Sequence, residues 1–220
     1  MAKIGVILSG CGVFDGNEVN EAVLTTYFLE KNGAEIQYMA PNINQLHVIN
    51  HLNEEVEEGE ARNVLKEAAR ITRGNINDIK DITTDSLDAL FIPGGFGAAK
   101  NLTTFAVDGS KCKINKDVKR IILEMYNSHK PIGAICIAPV VVAKALEGLN
   151  KGIKITLGND KNFAKAIEEM GAEHVNCTVS DYVYDEDNKI LTTPAFMLAK
   201  SVLEASIGIE KTINKLMQIL

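Results

Sequence analysis

Short runs of aliphatic and β-branched residues alternate along this chain with segments of helical period. Residues 4–9 read as a strand. Residues 17–32 read as a helix with Val19, Ala22, Val23 and Tyr27 on one face, stopped at Gly33. Ile36 to Met39 is a second strand, closed by Pro41, and residues 60–73 are helical. Leu87 to Ile92 is a strand that ends in Pro93-Gly94-Gly95-Phe96-Gly97. A helix over 116–128 comes next, then a strand from Pro131 to Ile135, a turn at Cys136 and a helix from about 138 to 147. Ile153 to Leu157 is a strand and residues 161–170 a helix. Val179 to Tyr184 and Lys189 to Thr193 flank the polar turn Asp185-Glu186-Asp187-Asn188 as a hairpin-like pair, and the last helix runs from about 195 to 218. Strands this apolar must be covered by helices on both faces, which predicts an α/β fold with a mostly parallel sheet. No repeat, linker or composition break divides the chain, so residues 1–220 read as one domain.

Composition narrows the partners. With 24% charged residues and a net charge of −6, the chain carries no basic stripe, which argues against nucleic acid and anionic membrane. The longest apolar run, Ala134 to Ala143, is interrupted by Pro139 and is too short to span a bilayer. Met1-Ala2-Lys3 leads straight into the first strand, which leaves no removable leader to expect and predicts a cytoplasmic protein. The cysteines (11, 112, 136 and 177) form no CxxC motif and read as free thiols. His47 and His51 are spaced i, i+4 but enclose no glutamate, and no histidine sits at ligand spacing with a cysteine, so no zinc or other metal is expected. The least regular stretch, 42–60, carries Glu54, Glu55, Glu57, Glu58 and Glu60. It reads as a solvated loop, with a lid as the alternative.

In open α/β sheets ligands sit at the carboxyl ends of the strands. Three segments converge there: Ser9-Gly10-Cys11-Gly12, Gly94-Gly95-Phe96-Gly97 and Cys136. Cys136 has Ala134 and Ala138 two residues to either side, the small residues that a nucleophile elbow requires. The helix after it points its N-terminus at the sulfur and would favour the thiolate. The plain alternative is an inert core cysteine. Gly94 and Gly95 can free a backbone N–H for a developing oxyanion, with Ile137 as second donor, or can simply form a tight turn. Glu18 and Glu21 lie one turn apart on the first helix. Either can be an exposed acid on the helix dipole, but Glu21, one turn deeper, is placed to meet Cys136. A carboxyl beside a thiolate is comfortable only if it keeps its proton and donates it. Gly10-Cys11-Gly12 imitates a dinucleotide fingerprint, but the third glycine is displaced to Gly16 and no acid ends the second strand, so nicotinamide binding is disfavoured.

The opening Lys3 to Val13, the segment His47 to Leu52, the run Pro93 to Leu102, Cys136-Ile137-Ala138-Pro139, Met170 to Val175 and Asp185 to Ile190 together resemble the ElbB family, within the PfpI-like, class I glutamine amidotransferase-like superfamily. The likeness covers nearly the whole chain. It implies a flavodoxin-like three-layer α/β/α sandwich, a homodimer, a nucleophilic Cys136 and its carboxyl partner Glu21, with Glu18 as second choice. It also implies cofactor-independent glyoxalase activity on small 2-oxoaldehydes, and a link by name to isoprenoid production. Gly10, Cys11, His47, Asn50, His51 and Asn101 are expected around the pocket, the three residues of 47–51 on the strength of the resemblance and with a plain helix or loop surface as their alternative. The chain departs from glutamine amidotransferases in having no His-x-Glu pair after Cys136, and from PfpI-like peptidases in having Ile137 where those place a histidine. A sulfur nucleophile without a histidine base suits an activated aldehyde better than an amide. A binding or redox-sensing module, or an amidotransferase-like subunit without glutaminase activity, are the alternatives.

Overall fold

The computed structural model describes residues 1–149 and 152–220. Its strands are β1 (Lys3–Ile7), β2 (Glu35–Ala40), β3 (Ile49–Asn50), β4 (Glu55–Val56), β5 (Asn77–Asp78), β6 (Ala89–Ile92), β7 (Ile132–Ile135), β8 (Lys154–Ile155), β9 (Glu173–His174), β10 (Val183–Asp185) and β11 (Ile190–Thr193). Its helices are α1 (Val19–Lys31), α2 (Val64–Ile71), α3 (Phe105–Asp108), α4 (Lys116–Asn127), α5 (Pro139–Leu146), α6 (Lys161–Glu169) and α7 (Val202–Gln218).

The main sheet runs β10-β11-β7-β6-β1-β2-β5, and every pairing is parallel except β10 with β11. Its centre is β6, β7 and β11, buried at every position, as strands covered on both faces must be. Helices α1 and α7 pack together on one face, and α4 and α5 on the other. This is the expected flavodoxin-like three-layer sandwich. The direction of winding reverses between β1 and β6, so the loops leaving those two strands open a crevice at the sheet's carboxyl edge.

Several elements differ from the reading of the sequence. Of the apolar face assigned to α1, only Ala22 is buried. Val23 and Tyr27 are about half exposed (51% and 56%), whereas Glu21, Ala22, Thr25, Phe28 and Leu29 are buried. The last helix does not begin at 195: a short 3-10 turn (Ala195–Met197) precedes α7, which Ser201 caps by accepting from the Glu204 N–H. β8 leaves the main sheet and pairs with β9 instead. β5, an edge strand of two residues, has no period to betray it. The 42–60 segment carries the small antiparallel pair β3 and β4.

Candidate active site

Cys136 comes directly after the last residue of β7 and has φ +60°. A non-glycine residue in that region costs about 1–3 kcal/mol, which the surrounding packing must over-determine. Here the Cys136 N–H donates to Thr193 O (3.0 Å), the Ala138 N–H donates to Ile135 O (3.0 Å), and Ala134 and Ala138 are fully buried. The elbow projects the sulfur toward Glu21. The thiol is itself nearly buried, at 7% exposure.

Glu21 is fully buried on the inward face of α1. One carboxyl oxygen, Oε2, accepts from the Gly94 N–H (2.9 Å), and the other, Oε1, accepts from the Phe196 N–H (3.1 Å). The carboxyl and the Cys136 thiol are hydrogen-bond partners, and the N–H groups of Gly95 and Ile137 both face the sulfur. Burial drives the Glu21 acid up to about 8, so it holds its proton at neutral pH. The backbone donors and the thiol only partly oppose that rise.

Two expectations change here. The helix N-terminus does not leave a low thiol. Burial, with the Glu21 carboxyl second, pushes Cys136 well above the ordinary cysteine range despite the two N–H donors. The resting pair therefore carries two protons. Gly94 does not supply an oxyanion donor, because Glu21 occupies its N–H. The donors that remain at the sulfur are Gly95 and Ile137. Gly94 has a second duty: a Cβ there would stand 2.4 Å from Cys136 Cβ and 2.6 Å from Glu21 Oε2. Only glycine lets the acid and the thiol meet.

Glu18 caps α1, accepting from the Glu21 N–H (2.6 Å) and the Asn20 Nδ2 (2.8 Å), and it lines the cavity beside Cys136. That cavity has a volume of about 620 Å³ and is walled largely by aromatic and aliphatic side chains. Gly10, Cys11, His47, Asn50, His51 and Asn101 do not line it. They lie in the neighbouring segments. Asn101 Nδ2 donates to Ser9 O and Asp15 O. Asp15 Oδ2 accepts from the Ile49 N–H, Asn50 Nδ2 donates to Glu57, and His51 Nε2 accepts from the Phe14 N–H. His47 is half-buried in the same segment, whose Glu54, Glu55, Glu58 and Glu60 are exposed and line no part of the cavity. Gly10 and Gly12 adopt φ +116° and +124° and serve the loop's shape, and Cys11 is half-buried with its thiol pushed up by burial. His174 is held elsewhere, accepting from the Leu157 N–H, and no histidine is among the described residues that line the cavity.

Two contributors escaped the sequence. Asn17 Oδ1 accepts from the Ser9 N–H (2.6 Å) while its Nδ2 donates to Gly94 O (3.0 Å), tying the two crevice loops together. Phe196 presents its amide to Glu21 because Ala195, with φ +44°, turns the chain after β11. The only sequence signal for this turn is Pro194 at the strand's end.

A family model described as the DJ-1/PfpI family matches residues 11–199. The chain belongs to the DJ-1/PfpI family. Among DJ-1/PfpI relatives, it is 43% identical over 227 residues to the human "Glutamine amidotransferase-like class 1 domain-containing protein 3, mitochondrial", covering 99% of this chain and 83% of that one. It is 36% identical to the zebrafish "ES1 protein, mitochondrial", covering 89% and 77%. The crystal structure of an "isoprenoid biosynthesis protein with amidotransferase-like domain" from Ehrlichia chaffeensis superposes with a TM-score of 0.93 at 39% identity, with 99% of each chain covered. Glyoxalase III from Candida albicans shares the fold (TM-score 0.63, 18% identity, 98% and 97% covered). The expectation of a cytoplasmic protein is corrected by these relatives: the human, rat and zebrafish proteins are all named mitochondrial. A start in the first strand is therefore no guide to where a DJ-1/PfpI chain resides.

Proposed function

We propose that this DJ-1/PfpI protein is an ElbB-type, cofactor-independent glyoxalase that converts 2-oxoaldehydes to 2-hydroxy acids. The observation that carries the reading is the Cys136–Glu21 hydrogen bond at a strained elbow, open to a cavity and without a histidine. A protein named glyoxalase III shares the fold, and the E. chaffeensis structure is named for isoprenoid biosynthesis, as the resemblance to the ElbB family would have it.

The active form of the pair has lost one proton. The sulfur adds to the aldehyde carbon, and Glu21 gives its proton to the aldehyde oxygen, leaving a hemithioacetal. The Glu21 carboxylate then removes the hydrogen from that carbon, giving an enediolate. A proton passes between the two oxygens, and Glu21 returns its proton to the neighbouring carbon. The aldehyde carbon is oxidised to a thioester, the ketone carbon is reduced to an alcohol, and no external electron acceptor is needed. Water breaks the C–S bond, releasing the hydroxy acid and the thiol. The Gly95 and Ile137 N–H groups stabilise charge at the sulfur and at the oxyanion that develops on the carbon bonded to it.

Incubation with methylglyoxal and an assay for lactate test this. Lactate must form with wild type and be lost with Cys136→Ala; no difference between the two on this or any other 2-oxoaldehyde would end the proposal. Glutamine hydrolysis draws no support, because no histidine faces the sulfur among the described lining residues. A redox sensor has no need of a cavity walled for an organic molecule. The reading includes a homodimer. Val19, Val23 and Tyr27 of α1, beside Val202, Leu203 and Ile207 of the adjoining α7, expose an apolar face for it. Sedimentation showing only monomer at micromolar concentration would remove that part.

A further inference from the structure

Resting on that glyoxalase reading, we infer that the substrate is a neutral 2-oxoaldehyde with a bulky apolar, aromatic or branched tail, rather than glyoxal or methylglyoxal. The cavity volume of about 620 Å³ lies in the roughly 300–1,000 Å³ range that holds drug-sized ligands. Methylglyoxal, with a few non-hydrogen atoms, would leave most of it to water. Its wall is built from Phe96, Phe105, Phe163, Phe196, Ile137 and Met197. Phe105 and Phe163 stack with centroids 6.4 Å apart, and they join α3 to α6 in the cavity wall. A tail leaving the reacting carbons would lie against these rings.

The polar side chains decide the charge of that tail. Glu18 and Asn162 line the cavity, and among the described residues no lysine, arginine or histidine does. A carboxylate or phosphate on the substrate would find no cation there and would meet the Glu18 acid, inside a wall that offers little solvation. An enzyme that takes charged sugar-derived aldehydes needs an anion clamp, and the described wall has none. Cys136 lines the same apolar space, so an aldehyde can meet the sulfur while its tail is desolvated. Binding energy from the tail is thereby available to orient the reacting carbons.

The test compares kcat/KM for methylglyoxal, phenylglyoxal and 4-carboxyphenylglyoxal with wild type, Ala166→Phe and Cys136→Ala. Burying an aromatic ring in place of a methyl group predicts that phenylglyoxal exceeds methylglyoxal by roughly 10- to 100-fold. The carboxylated ring should forfeit most of that gain. Ala166 lines the cavity from α6, so Ala166→Phe should lower the phenylglyoxal-to-methylglyoxal ratio by about tenfold. Turnover of all three aldehydes at similar kcat/KM, or preference for the carboxylated one, overturns this inference and leaves the glyoxalase reading standing. Wild type no better than Cys136→Ala on every aldehyde overturns both. The wild-type comparison decides the matter even if Ala166→Phe fails to fold.

Discussion

Glu21→Gln is the substitution that best separates chemistry from architecture. Both carboxyl oxygens accept backbone N–H groups, from Gly94 and Phe196. An amide can accept only one of them and turns a donor on the other, at a cost of about 1–3 kcal/mol in a buried site. It can neither take nor return a proton, so kcat/KM on a 2-oxoaldehyde should fall by at least about 100-fold. In wild type, log kcat/KM should rise with unit slope up to pH about 8, where the coupled acid–thiol pair loses the first of its two protons, and then level off. That inflection should be absent from Glu21→Gln, as steady-state kinetics from pH 5 to 9 would read. Gly94→Ala should be more severe, since its Cβ would overlap Cys136 Cβ and Glu21 Oε2. We expect loss of activity and a lower thermal midpoint by calorimetry. At this scale the sequence was legible where a side chain does the work: Cys136 by its small flanking residues, Glu21 by its depth on the helix. It was not legible where a backbone amide does the work, since any residue type could stand at position 196. Nor did it reveal that the thiol is pushed up. The helix that favours a thiolate is local to position 136, whereas desolvation comes from every segment packed around the sulfur.

Among the elements, α1 shows why periodicity misled. The helix carries apolar residues on two faces, and the pattern Val19, Val23, Tyr27 is the more regular one. The face that is buried contains a glutamate, which a hydrophobicity count treats as an outward position. A buried acid with two backbone donors and a thiol partner can offset its desolvation, so function overrode pattern. The turn over 195–197 was absorbed into the last helix for a related reason. Pro194-Ala195-Phe196 has helical composition, but the chain needs a bend there to bring the Phe196 amide to Glu21. The link between the β1 and β6 loops makes its own prediction. Asn17→Ala leaves the buried Ser9 N–H without its acceptor and leaves Gly94 O only the Glu18 N–H. It should lower stability by about 1–3 kcal/mol in urea unfolding. It should also lower kcat more than it raises KM, because the loop that holds Gly94 against Glu21 loses one of its tethers while the side chains of the cavity wall are untouched. A change confined to KM would place Asn17 in binding instead.

For the molecule as a whole, the parallel sheet and its helical layers arise from apolar strands that alternate with helices, and that alternation is plain in the sequence. The wall of the cavity is not, because its rings come from segments far apart in the chain, and only the fold brings Phe105 to Phe163. The buried acid also leaves a mark on global stability. Glu21 titrates at about 8 in the folded chain against 4.5 in an unfolded one. Between those values the folded state holds a proton that the unfolded state has released, so stability must fall as pH rises through this window. The Glu21 contribution to the slope is at most about 1.4 kcal/mol per pH unit. It vanishes below about pH 4.5, where both states are protonated, and again above about pH 8, where neither is. Exposed carboxylates with ordinary pairing act in the opposite direction and at lower pH, so the two effects do not mask each other. Urea unfolding of wild type and Glu21→Gln at intervals from pH 5 to 8 isolates the contribution of this one acid. The gap in stability between them should shift steadily in favour of the glutamine variant as pH rises. Parallel pH profiles would mean that Glu21 is already ionised in the folded protein, and the proton relay proposed for the pair would then have no proton to move.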